Sequence, residues 1–257
     1  MKKILVAFLL IASFTSFAQS PVAARLSSGY DIGMAYSTGH YNPSVSYYQL
    51  LTVGERKLFA FGWNVRLGAF YGDNLNYYTA PARLTRGKSG LGSIGLPLIP
   101  ANIDTVRFDH VSMTSLSIGV RAKISLGRVE LGASTDLLGF TFGKSRTGQY
   151  QSSTGQFAIL SASGADSLLV PFQGANALQK ASPGVIIARL LGDNNRGTLS
   201  TQVYANIRLT PRVGVKLGYQ WLITEMSVAN RDVVADNNRF RHTAGMAYLA
   251  LSLPIFQ

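Results

Sequence analysis

From Phe59 onward the apolar residues of the chain fall on every second position. Phe59, Phe61, Trp63, Val65, Leu67, Ala69 and Tyr71 alternate with Ala60, Gly62, Asn64, Arg66, Gly68, Phe70 and Gly72. A period of two sends successive side chains to opposite faces of an extended strand. One face here is apolar and aromatic, the other mostly small or polar. The same alternation returns at residues 30–36, 116–124, 129–137, 199–209 and 213–223. Two less cleanly phased strands lie around 45–53 and from 243 to 255, where Leu249, Leu251, Leu253 and Ile255 form the better face. Eight strands are predicted in all.

The connections between these strands alternate in length. Residues 54–57, 126–128 and 210–212 make tight turns, whereas 39–44, 73–110, 144–198 and 226–241 connect the strands at the other end. Short turns on one side and long loops on the other mark an outer-membrane barrel with its turns in the periplasm. A soluble sandwich has the same alternation, so length and aromatics decide. The segments exceed the usual soluble strand of roughly 5–6 residues and fit a tilted crossing of roughly 9–11. Tyr30, Phe59, Phe61 and Trp63 cluster at the turn ends, and Tyr36, Tyr71, Phe140, Phe142, Tyr219 and Trp221 at the loop ends. Two such clusters form the girdles expected at the two membrane interfaces. The predicted fold is all-β: an eight-stranded antiparallel up-and-down transmembrane β-barrel with short periplasmic turns and long extracellular loops.

Composition and the N-terminus fit an exported protein. Met1-Lys2-Lys3 precedes an apolar run from Ile4 to Ala12, and Ser16-Phe17-Ala18 places small residues before Gln19. This is the pattern of a cleaved signal peptide over residues 1–18, too short to span a membrane as a helix. Residues 19–257 then form one barrel domain in the cell outer membrane. Charged residues make up only 14% of the 257-residue chain, against roughly 25% in ordinary soluble domains. The absence of cysteine excludes disulfides, thiolate metal sites and a lipidated cysteine. The formal net charge is +12, but the basic residues are scattered, so nucleic acid is not an expected partner.

The Phe17-Ala18-Gln19 signal end, the eight-strand meander and the apolar last strand ending Pro254-Ile255-Phe256-Gln257 carry a resemblance. The chain resembles the small outer-membrane β-barrel family that groups the OmpA transmembrane domain, OmpX-like proteins and the porin-family barrels of Bacteroidota. In size and topology it is also similar to the accessory barrels of Bacteroidota secretion machinery, such as the PorT type. The resemblance covers the whole mature chain and is architectural.

With the polar faces inward, Asp31, Glu130, Asp136 and Glu225 meet Arg66, Arg121, Lys123, Arg208 and Lys216 in the lumen. An eight-stranded barrel is only wide enough for side chains to fill it, and an unpaired charge there is costly. These residues therefore form a charge network. Lys123 and Glu130 are expected opposite each other beside their turn, and Arg66 is expected to meet Asp136 across the lumen. A filled lumen points away from a conducting pore, and a narrow porin-like channel for small solutes is the alternative.

Enzyme chemistry finds little support. His40, His110 and His242 fall in or beside the outer loops, and no spacing brings a nucleophile, a base or three metal ligands together. No catalytic residue, cofactor or metal is expected, and the chain is read as not an enzyme. A lipid A-modifying enzyme is the more distant alternative. The outer loops instead carry apolar clusters, with Phe157, Ile159 and Leu160 facing Leu168, Leu169 and Phe172 around a predicted hairpin. Such residues either pack as a cap over the barrel or dock another envelope protein. The loops also lean basic, which suits contact with outer-membrane lipid and lipopolysaccharide. The expected role is interaction or structure in the cell envelope, as in an accessory subunit of a secretion or assembly machine.

Overall fold

The computed structural model describes residues 25–54, 57–160, 167–190 and 194–256. The predicted signal segment 1–18 lies outside the described residues. Among the described residues no helix is long and apolar enough to cross a membrane, which says nothing of strands. The described residues are all-β, with thirteen strands, one four-residue helix, α1 (Ala82–Thr85), and a few 3-10 turns.

Eight of the strands contain the periodic segments. They are β1 (Leu26–Ser37), β2 (His40–Val53), β3 (Phe59–Thr79), β4 (Thr105–Leu126), β5 (Val129–Gly143), β11 (Leu199–Thr210), β12 (Val213–Asp232) and β13 (Asn237–Phe256). Each pairs antiparallel with the next, and β13 pairs back onto β1 through Tyr30–Leu253 and Tyr36–Ala247. The pairings thus run a closed circuit. Its outward face is a belt of exposed apolar side chains, among them Ile32, Leu67, Ile118, Leu131, Leu217 and Leu249. Tyr30, Phe61 and Trp63 border the belt at the turn end, and Tyr36, Phe142 and Trp221 at the other.

The outer connections differ from the expectation of long loops. The first is a tight turn, since Ser37 already pairs with His40 and Gly39 takes φ +81°. Strands β3, β4, β12 and β13 run on well past the aromatic belt. The described residues of the stretch 144–198, expected as a single loop with one hairpin, contain five strands: β6 (Arg146–Ser152), β7 (Gln156–Leu160), β8 (Ser167–Pro171), β9 (Leu178–Pro183) and β10 (Ile186–Ala188). The described chain therefore has thirteen strands rather than eight.

These additions close a second circuit above the first. Beyond the belt β4 pairs with β6, β6 with β9, β9 with β12, β12 with β13, and β13 directly with β3 through Phe240–Thr79 and Arg241–Tyr78. The β1–β2 hairpin has dropped out, and β6 and β9 replace β5 and β11. Six strands enclose less space than eight, and apolar side chains fill it. The cause lies in the alternation itself. Between Gly72 and Leu75 on β3, and between Val111 and Phe108 on β4, both strands change face together, with Asn74 in the left-handed region at φ +55°. Below that level the outward face is apolar, while the inward face is polar near the turns and becomes apolar only at Phe70, Val111 and Met113. Above it Leu75, Tyr77, Val106 and Phe108 point inward and are buried.

Candidate functional site

The interior of the lower circuit is polar and charged. Nearest the turns, Lys123 donates from Nζ to Glu130 Oε1 at 2.8 Å, and Asn206 Nδ2 donates to Glu130 Oε2 at 2.8 Å. Lys123 and Glu130 are not directly opposite, as expected from the sequence. Lys123 pairs with Gly132 and Glu130 with Ser125, because the turn is centred on Gly127 and Arg128, so the contact is diagonal. Arg208 stands at the turn-side rim, donates to the Gly127 carbonyl and lies 3.9 Å from Glu130.

Further in, the Asp31 carboxylate accepts from Arg121 Nη1 at 2.6 Å and from Lys216 Nζ. The Arg121 guanidinium lies 4.0 Å from the Tyr48 ring centroid and donates to Tyr204 Oη at 2.6 Å. Lys216 Nζ sits 4.5 Å from the Tyr204 ring. Two cations thus share one carboxylate and two aromatic faces, which supply the remaining stabilisation. Next comes an amide chain, Gln202 to Gln220 to Asn42, with both bonds at 2.8 Å. Arg66 Nη2 donates to Asp136 Oδ2 across the interior, and the Ser200 backbone N–H donates to the same oxygen at 2.8 Å. Asp31, Arg66, Arg121, Glu130, Asp136 and Lys216 are all buried.

Glu225 departs from its expected inward position. It shares the outward face of Trp221 and Ile223 on β12 and takes both Arg239 nitrogens, Nε at 2.8 Å and Nη2 at 2.7 Å. Tyr48 and Tyr204 were missed as part of the network. Tyr204 shares the polar face of β11 with Gln202, Asn206 and Arg208, and that phase was its signal, whereas Tyr48 lies on a strand whose two faces are nearly equally apolar.

Above the charged layer the interior becomes apolar. Phe70, Val111, Met113, Leu222, Met226 and Met246 belong to one buried cluster that continues upward through Tyr77, Phe108, Tyr150 and Phe240. Tyr77 and Phe108 meet edge to face at 5.1 Å, and Tyr150 stacks on Phe172 at 4.4 Å. Phe157 in turn stacks on Phe172 at 4.8 Å. Two of the expected docking residues, Phe157 and Phe172, are therefore buried in the core of the cap. Ile159, Leu168 and Leu169 lie further along the β7–β8 hairpin and are 42%, 65% and 52% exposed. Leu160 ends β7, and its side chain lies outside the described residues. Two carboxylates pin the hairpin's root. Asp104 accepts from the Thr154 N–H at 3.1 Å and Asp232 from the Gln156 N–H at 3.1 Å. Burial pushes the Asp104 carboxyl above the usual carboxylate range.

The histidines separate into two arrangements. His110 Nδ1 lies 2.5 Å from Asp73 Oδ1 in an exposed pair on the outer rim. His40 and His242 meet edge to face with ring centroids 5.8 Å apart, next to Phe70 and Tyr77. Burial lowers the affinity of both imidazoles for a proton, and for His40 the neighbouring His242 adds to it. Among the described residues no group of three or more His, Asp or Glu side chains converges as a metal site.

No protein-family model and no curated protein matches the chain. Among solved structures it is similar to Neisserial surface protein A, NspA, at 9% identity over 89% of this chain and 94% of that one, with a TM-score of 0.31. It is also similar to the outer membrane protease OmpT from Escherichia coli, at 10% identity over 90% and 94%, with a TM-score of 0.33. A Pseudomonas aeruginosa FadL homologue matches at 10% identity over 90% and 74%, with a TM-score of 0.20. These neighbours are outer-membrane β-barrels. One of them is a protease, which corrects the expectation that this chain is not an enzyme.

Proposed function

We propose that the lower circuit is an eight-stranded transmembrane barrel of the outer membrane and that it serves as a stiff pedestal for the six-stranded cap outside the cell. The belt of outward apolar residues between two sets of aromatics supports the membrane placement. The filled interior supports a role other than conduction, because charged side chains occupy the lower half and an apolar core the upper. The cap then carries the function, by contact with another component of the cell envelope, in the manner of an accessory subunit of a secretion or assembly machine of the PorT type.

One observation carries this reading. Strands β7 and β8 pair antiparallel, and their root is fixed by Asp104, Asp232, Phe157 and Phe172, while Ile159, Leu168 and Leu169 further along them are exposed. A rigid root below exposed apolar side chains is the form of a docking element. The test is the triple variant Ile159→Asp, Leu168→Asp, Leu169→Asp, which leaves the root intact. Cross-linking in the intact envelope, followed by purification in mild detergent, is expected to lose its main cross-linked species in the variant. An unchanged cross-linking pattern rejects the docking role and leaves the hairpin as part of the cap alone.

A further inference from the structure

The pairing of β13 changes partner at the level of the outer aromatic girdle. It runs with β1 as far as Tyr36–Ala247 and resumes with β3 at Arg241–Tyr78. Between these points the wall has a window, with the β1–β2 turn as its sill, since the Asp73 N–H donates to the Gly39 carbonyl at 2.9 Å. His40 and His242 fill it from within, and His242 Nδ1 reaches the Asn76 carbonyl oxygen at 2.9 Å. Both ring nitrogens of His40, and Nε2 of His242, are buried without a hydrogen-bond partner.

Outside this window lies a cavity of about 740 Å³, within the range that holds a small-molecule ligand. Its walls have two chemistries. Arg86, Arg241 and His242 are basic, Asn74 and Asn76 are neutral donors, and no carboxylate lines it among the described residues. Leu98, Ile103 and Tyr78 add apolar surface among these groups, with Tyr78 paired across the strands with Arg241 and Leu98 and Tyr78 half exposed. The segment between α1 and β4 overhangs the cavity and is tied down by Arg86, which donates to the Leu96 carbonyl, and by the Ile99 N–H, which donates to the Thr85 carbonyl at 2.7 Å.

The height of the cavity identifies its occupant. Tyr41 and Tyr71 stack at 5.0 Å on the outer girdle. Asn74 stands three residues beyond Tyr71, about 10 Å further along the strand. That is where headgroups begin above an aromatic girdle. A lateral cavity at that height, lined by two arginines together with Leu98, Ile103 and Tyr78, matches an amphiphile with an anionic head and an acyl chain. Arginine suits a phosphate because its planar fork donates two parallel bonds.

Resting on the membrane reading of the barrel, we infer that this cavity is a binding site for one phosphate-bearing lipid of the outer leaflet. Arg86 and Arg241 hold its head, and Leu98, Ile103 and Tyr78 hold the start of its chain. The His40–His242 pair forms the back wall and separates the lipid from the core of the cap.

The probe is phosphatidylglycerol. Protein reconstituted in vesicles of phosphatidylcholine, with and without phosphatidylglycerol, is re-extracted in neutral detergent, and retained lipid is counted by native mass spectrometry. One phosphatidylglycerol is expected to stay bound in preference to phosphatidylcholine. Arg86→Gln is expected to reduce its retention about tenfold, a loss of about 1.4 kcal/mol. Leu98→Asp, at an exposed position of the overhang, is expected to reduce it similarly without loss of folding. Equal retention of the two lipids, or unchanged retention in both variants, overturns the site. If soluble glycerol phosphate competes as well as the intact lipid, the cavity binds free phosphate and the lipid assignment falls. Failure of the wild-type protein to float with vesicles, or to migrate in a heat-modifiable way on gels, strikes instead at the barrel reading.

Discussion

The two circuits are built from the same four through-running strands but stabilised by opposite means. In the lower one, apolar side chains face outward and the interior is held by ion pairs and amides. In the upper one, apolar side chains face inward, as in a soluble protein, and the ion pairs Glu225–Arg239 and Arg231–Asp236 lie on other faces. On the membrane reading proposed above, the change of face near Asn74 is where one solvent regime replaces the other. A wall surrounded by hydrocarbon gains nothing from an apolar interior, whereas a domain surrounded by water requires one. The difference predicts that the two halves fail differently.

The lower circuit is most sensitive at Asp31, the one carboxylate shared by Arg121 and Lys216. Asp31→Ala leaves two buried cations facing each other. Breaking a buried pair in this way costs about 3–5 kcal/mol. The expected result is a large drop in the urea midpoint of the whole barrel, followed by the heat-modifiable gel shift. Asp31→Asn, which keeps the shape and one acceptor, is expected to lose less. If Asp31→Ala unfolds at the wild-type midpoint, the lumen network is not what holds the wall together.

Phe240 tests the upper circuit. It is buried in the cap and meets Tyr150 edge to face at 5.5 Å. Phe240→Ala is expected to remove about 3 kcal/mol of packing, and the damage should stay local. Limited proteolysis of the variant in detergent is expected to cut within residues 144–198 while the gel shift of the barrel persists. Loss of both together would show that cap and barrel form one cooperative unit.

The lower half was legible in the sequence and the upper half largely was not. Outward residues such as Leu67, Ile118 and Leu217 alternate with Gly68, Gly119 and Gly218 over long runs, and that period is a strong signal. Arg66 and Asp136 were also legible as a pair, since each lies seven or eight residues from its turn. The cap was hidden for a physical reason. When Leu75, Tyr77, Val106 and Phe108 move to the inner face, the apolar phase shifts by one residue, and a pattern search ends the strand there. Strands β6 and β9 are short and mixed in composition, because each covers only a small part of a shared core. Whether Phe157 and Phe172 cap the barrel or dock a partner stayed open in the sequence, because their neighbour Tyr150 comes from a strand with no period of its own.

The smallest effect concerns the seam between the halves, where His40 and His242 close the window in the wall. His242 donates from Nδ1 to the Asn76 carbonyl, which leaves Nε2 as its basic nitrogen, and that atom is buried without a partner. A proton added there creates a buried N–H with no acceptor, 5.8 Å in ring separation from a second imidazole under the same constraint. Both groups therefore bind protons less readily in the folded protein than when exposed. The opened state takes up protons as the pH falls through the ordinary histidine range, roughly 6.5, while the closed state takes them up only at lower pH. Stability of the closed seam is thus fully present above that range and declines below it. Each imidazole can change the opening equilibrium at most about tenfold per pH unit, and partial exposure reduces this. Cleavage of the cap by an acid-tolerant protease is expected to be about three- to tenfold faster at pH 5.5 than at pH 7.5, after correction for the protease's own profile. The double variant His40→Gln, His242→Gln should cleave at a rate independent of pH over that interval. A pH dependence that survives in the double variant would place the titration elsewhere, with Asp104 excluded on sign. Its raised carboxyl favours the closed state on acidification, so it acts against the histidines.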